Sequence, residues 1–99
     1  MTISTILDPY YVSLGCWKDQ EPRAIDGSEG SLGIEGCYQR AKELGNEFFA
    51  VQFHGQCFTS ATAGDTYKKY GISNDCPEDG NGGSWCQEVY KISKINIFM

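Results

Sequence analysis

The chain has 99 residues, of which 40% are hydrophobic, 13% aromatic and 21% charged. That length holds one domain and excludes large catalytic scaffolds such as a barrel or a doubly wound nucleotide fold. The apolar share excludes wholesale disorder. The formal charge of −5, from 8 Lys+Arg against 13 Asp+Glu, repels phosphate backbones and anionic lipid, so no nucleic-acid partner is expected. No apolar run approaches the ~20 residues that span a bilayer, so no membrane insertion is expected either.

Residues 1–9 read as an N-terminal arm, closed by the breaker Asp8-Pro9. Tyr10 to Trp17 is β-branched and aromatic and predicts a strand. Residues 18–33 hold Pro22, Gly27, Gly30 and Gly33 among charges and serines and read as a long loop. Ser31 to Leu44 is the main helix, with Ile34, Cys37, Ala41 and Leu44 as its apolar stripe and Gly45 as its stop. Phe48 to Phe53 predicts a strand with Phe49, Val51 and Phe53 on one face. His54-Gly55 is a turn, and Gln56 to Ser60 returns as a second strand. Ala61 to Tyr70 holds a short helix ending at Gly71, and Asn74 to Gly83 is an acidic, glycine-rich loop. Glu88 to Ile92 is the last strand, before a tail at residues 93–99. The expected fold is therefore α+β: a small antiparallel sheet with one main helix packed on it, plus a short second helix, within a domain at residues 10–92.

The five cysteines are Cys16, Cys37, Cys57, Cys76 and Cys86. None forms a C-x-x-C pair, and His54 is the only imidazole. Zinc sites favour at least one short-spaced ligand pair, so no metal and no cofactor are expected. Wide spacing in a small chain points to disulfides and an oxidising compartment, hence to a secreted, extracellular protein. No basic segment followed by a long apolar one opens the sequence at Met1, so no signal peptide is read in it.

Catalytic patterns are sparse. A His54–Cys57 nucleophile pair would need an unbridged Cys57. Glu78-Asp79 sits on a loop with nothing to bury one carboxyl and raise its pKa. Asp75, Asp79 and Asn81 offer oxygen ligands for calcium but lack the spacing of an EF-hand loop. Gly80-Asn81-Gly82-Gly83 lacks the strand, helix and lysine of a phosphate cradle. These features predict no enzyme.

One residue set fits a ligand. Sugars present apolar C–H faces ringed by hydroxyls, so they need an aromatic platform with polar side chains around it. Trp17, Tyr67, Tyr70 and Trp85 lie beside predicted loops, with Lys18, Asp19, Arg23, Gln52, His54, Gln56, Thr59 and Asn81 near them. The four aromatics with Lys18, Gln52, His54, Gln56 and Asn81 are the nine candidate carbohydrate-binding residues. Trp17 beside Cys16 and Trp85 near the last strand fit core packing as well as a platform.

The order of short motifs carries a resemblance. Gly15-Cys16-Trp17-Lys18-Asp19 is followed by Arg23-Ala24-Ile25, Cys37-Tyr38, Phe49-Ala50-Val51-Gln52 and Gly55-Gln56-Cys57-Phe58-Thr59-Ser60. Then come Thr66-Tyr67-Lys68-Lys69-Tyr70-Gly71, Cys76, Gly82-Gly83-Ser84-Trp85 and Glu88-Val89-Tyr90. Over about residues 11–92 this resembles a cysteine-rich extracellular domain of corals, anemones and other marine invertebrates. It is similar in plan to WSC-type carbohydrate-binding modules and, within that group, to the small galactose-binding lectins of octocorals.

The resemblance implies a secreted lectin for galactose/N-acetylgalactosamine-type glycans, made multivalent as a homo-oligomer, in defence or symbiont recognition. It implies bridged cysteines at Cys16, Cys37, Cys57 and Cys76, with preferred pairs Cys57–Cys76 and Cys16–Cys37. Cys86, where the group carries a small residue, is then the odd thiol. Other pairings stay open on sequence alone. The alternative function is an extracellular protein-interaction or matrix adhesion module with no sugar site.

Overall fold

The computed structural model describes residues 10–93; the N-terminal arm and the rest of the tail lie outside the described residues. Five strands and two helices follow in the order β1 (Tyr10–Lys18), β2 (Ser28–Ser31), α1 (Gly33–Leu44), β3 (Phe48–Gln52), β4 (Gln56–Thr59), α2 (Ala63–Thr66) and β5 (Cys86–Ser93). The strands form one antiparallel sheet in the order β1-β5-β3-β4-β2. This is the expected α+β, disulfide-stapled architecture. No helix among the described residues is long and apolar enough to cross a membrane.

Strand alternation divides the core in two. Phe49 and Val51 of β3, Cys57 of β4, and Tyr90 and Ile92 of β5 meet Cys37, Tyr38 and Ala41 of α1. Phe49 stacks on Tyr90 with centroids 5.0 Å apart. Ala50, Phe58 and Val89 belong to a second cluster with Ile25, Ala63 and Tyr67, against which Trp17 and Phe48 pack. Strand β3 is therefore apolar on both faces, so its sequence reads as a continuous run.

Gly45 ends α1 as expected, at φ 76°. Its N–H donates to the Lys42 carbonyl and the Asn46 N–H to the Ala41 carbonyl, which is a Schellman closure. The expected helix stripe needs one correction. Leu44 is exposed and Tyr38 is buried in its place. Leu44 is the last residue of the helix, whereas Tyr38 packs within it against the rings of Tyr11 and Phe49.

Three further expectations change. The 18–33 loop contains β2, which hydrophobic pattern could not reveal because Ser-Glu-Gly-Ser has no apolar side chain. Its ladder to β4 is set by the backbone, and the Gly27 carbonyl accepts from the Thr59 N–H next to it. Phe53 does not continue β3. It has φ 39° and begins a turn whose central residues His54 (57°) and Gly55 (89°) are both left-handed, as in a type I′ hairpin.

The preferred disulfide pairs are also wrong. The bridges are Cys16–Cys76 and Cys37–Cys57, with Cys86 free and buried. Strand β5 and strand β3 lie between β1 and β4, a span of about 14 Å at 4.8 Å per strand. Cys37 sits on the helix over β3 and β4, so Cys57 is its reachable neighbour. The long loop brings Cys76 back to Cys16 on the other edge.

Candidate functional site

The β3–β4 turn and the Gly80–Cys86 segment meet at one end of the sheet. Glycine allows that contact. A Cβ on Gly82, which has φ +71°, would stand 2.2 Å from the Val51 carbonyl oxygen and 2.7 Å from Gln52 Cα. The Phe53 N–H donates to the Gly83 carbonyl at 3.2 Å. Gly83 and Cys86 then exchange backbone hydrogen bonds around a tight Ser84-Trp85 turn, with Trp85 at φ 56°. Further back, the Tyr90 hydroxyl donates to the Gly80 carbonyl at 2.7 Å and anchors the acidic loop. Burial, with Glu88 next in effect, pushes the Tyr90 phenol up to about 12.

Phe53 (48% exposed) and Trp85 (50% exposed) stand out of this end. Phe53, His54 and Trp85 are the non-glycine residues with left-handed backbones among the described residues. That conformation costs of order 1 kcal/mol or more for each and concentrates at functional sites. A cleft lies on each side of Phe53. The smaller, about 210 Å³, is lined by Arg23, Gln52, Phe53, Gln56, Ser84 and Trp85. The larger, about 540 Å³, includes Phe53, His54, Asp79, Asn81 and the backbone of Gly82 and Gly83.

A buried polar network underlies the smaller cleft. The Asp19 carboxylate is inaccessible to solvent and accepts from Arg23 Nη1 at 2.6 Å and from the Ala24 N–H at 2.9 Å. Hydrogen bonding orients the Gln52 amide so that its oxygen accepts from Arg23 Nη1 and its nitrogen donates to Asp19 Oδ2, each at 3.0 Å. Pairing of this kind is what makes a buried charge tolerable. Arg23 Nε also meets Glu21 at 3.2 Å. The guanidinium carbon lies 4.6 Å from the Trp85 ring centroid and 5.1 Å from that of Phe58, within cation–π range. The Asp19 N–H donates to the Trp85 carbonyl at 2.9 Å, so the aromatic and the ion pair are held by one frame.

The nine sequence candidates fall into three places. Gln52, Gln56 and Trp85 line the smaller cleft, and His54 and Asn81 line the larger. The other four stand apart. Tyr67 is 8% exposed and meets Trp17 edge to face with centroids 5.1 Å apart. Trp17 Nε1 donates to the Leu14 carbonyl, so both rings belong to the packing of the second core cluster. The Tyr70 hydroxyl donates to the Pro22 carbonyl. Lys18 ends β1 with an exposed side chain and lines neither cleft.

Arg23, Phe53, Pro77, Asp79 and Ser84 are the non-glycine lining residues outside that set of nine. Phe53 carried a signal: an aromatic directly before His54-Gly55 is displaced from the strand by the turn it begins. The His54–Cys57 pair does not exist as chemistry, because Cys57 is bridged and fully buried. Asp79 Oδ1 accepts from the Asn81 N–H at 2.9 Å, which folds the acidic loop on itself as an Asx turn. Comparison with known proteins yields no matching family model and no matching curated relative.

Proposed function

We propose that this chain is a non-catalytic carbohydrate-binding protein, a secreted lectin of the WSC-like kind. The observation that carries the reading is the exposed Trp85 ring beside Arg23, Gln52, Gln56 and Ser84 around a cleft of about 210 Å³. That volume is below the ~300–1,000 Å³ of sites for drug-sized molecules and suits a single small ring. The apolar face of a sugar packs on Trp85, with Phe53 at the rim. Its hydroxyls exchange hydrogen bonds with the Ser84 hydroxyl, the Gln56 amide and the guanidinium of Arg23. Asp19 and Gln52 hold that guanidinium in place before the ligand arrives, which lowers the ordering cost of binding.

The preference for galactose/N-acetylgalactosamine-type glycans comes from the resemblance in motif order. A small open site binds weakly, so assembly as a homo-oligomer supplies the avidity. The experiment is a glycan array with wild-type protein and Trp85→Ala. Binding by the first and none by the second, with an unchanged fold by circular dichroism, supports the proposal. Equal binding by both removes Trp85 from the site.

A second reading is a protein-interaction module. It is favoured by Tyr10 and Val12, which are both exposed on the edge strand β1. An array without a single glycan bound would select it.

A further inference from the structure

The sulfur chemistry of the chain extends beyond its two staples. The sulfurs of Cys16, Cys76 and Cys86 all lie within 4.8 Å of one another. Two of them form a bridge and the third is a thiol. We propose that these three cysteines form a thiol–disulfide exchange centre, in which Cys86 displaces Cys16 from Cys76 and the bridge migrates to Cys76–Cys86. This proposal does not depend on the sugar reading.

The step balances without an oxidant. Cys86 gives its proton to water, and the thiolate attacks Cys76 Sγ. The Cys76–Cys86 bond forms as the Cys16–Cys76 bond breaks, and the electron pair leaves on Cys16 Sγ, which takes a proton from water. One disulfide and one thiol stand on each side.

Strand register selects this direction. Cys16 lies opposite Glu88 and Cys86 opposite Lys18, so Cys16 and Cys86 are diagonal neighbours across β1 and β5. Diagonal positions are about 7–8 Å apart, at or beyond the Cα separation a disulfide accepts. Both strands are fixed by the sheet. Cys76 lies on the loop and is free of that constraint.

The starting isomer persists for a physical reason. Burial, the largest influence, pushes the Cys86 thiol up. The carboxylates of Asp75 and Glu88 add to this, against hydrogen bonds from Ser73 and the Gly83 backbone. Lys18 faces it from β1. The thiol is therefore little ionised at neutral pH, and exchange is slow there.

Migration has two consequences. It exchanges a buried thiol for one on half-buried Cys16. It also unties β1 from the loop that carries Asp79 and Asn81, and pulls on the turn that presents Trp85.

The test is bridge mapping of the full chain. Protein is held at mildly alkaline pH, acid-quenched, alkylated, digested without reduction and read by mass spectrometry. The expected result is a Cys76–Cys86 peptide pair with alkylated Cys16, while Cys37–Cys57 is unchanged. Cys86→Ala should abolish alkylation of Cys16. Cys16→Ser should purify with Cys76 and Cys86 bridged and no free thiol. Cys16–Cys76 as the sole partner pairing under all conditions, or two free thiols in Cys16→Ser, would overturn the proposal.

Discussion

Removing the bridge between helix and sheet by Cys37→Ala with Cys57→Ala should be the most damaging change that alters no backbone preference. The bridge spans a sequence separation of 20. Loop-closure entropy for that length is about 3.3 kcal/mol at 25 °C. Both cysteines are fully buried in the cluster with Ala41, Phe49 and Val51. Deleting two sulfur atoms there adds roughly 0.8 kcal/mol each, the value for a buried methylene-sized group. The sum is about 5 kcal/mol, the low end of a whole domain's stability of ~5–15 kcal/mol. At ~4–8 °C per kcal/mol the melting temperature should fall by at least 20 °C. Thermal unfolding followed by tryptophan fluorescence, without reductant, measures it. Cys86→Ala is the control, since it removes one buried sulfur and no loop closure, and should cost about 1 kcal/mol. A double variant no less stable than that control would refute the claim that Cys37–Cys57 staples α1 to the sheet.

Other expectations follow from single contacts. Gly82→Ala should destabilise by about 1–3 kcal/mol or more and shift the Gly83–Cys86 turn, because its Cβ meets the Val51 carbonyl; thermal melts would show this. Trp17→Ala should cost roughly 3 kcal/mol or more through lost core packing with Tyr67, whereas Trp85→Ala should affect the melting temperature less and ligand binding more. For Tyr90 the folded phenol titrates at about 12 against an ordinary 10.0. Its raised value means the neutral form is favoured on folding, so its contribution is complete below pH 10 and is lost as pH rises toward 12. Alkaline unfolding monitored by circular dichroism should begin at lower apparent steepness in Tyr90→Phe; an unchanged profile would remove Tyr90 as the titrating group.

Elements with strong local signals were legible. The aromatic start of β1, the helix ending at Gly45 and the β3–β4 hairpin each follow from periodicity or turn chemistry over a few residues. Strand β2 was not, since its pairing depends on the free edge of β4 and not on its own side chains. The disulfide pairs were set by strand order, which no local pattern encodes. The aromatic candidates divided for the same reason. Trp17 and Trp85 have similar flanking residues, but one faces the Phe48–Tyr67 side of the sheet and the other sits on a left-handed turn. Arg23 and Asp19 were legible as polar neighbours of the aromatics, but their ion pair and the contact of Arg23 with the ring of Trp85, which is distant in sequence, were not.

The proposed function rests on sugar binding at the Trp85 cleft. The most direct measurement is a glycan-array screen of the purified, oxidised protein with its solution mass determined alongside. Selective binding to galactose-type glycans by an oligomer, lost in Trp85→Ala, is the expected result. No binding to any glycan, with and without calcium, would contradict it and leave the exposed aromatics as a protein-docking surface.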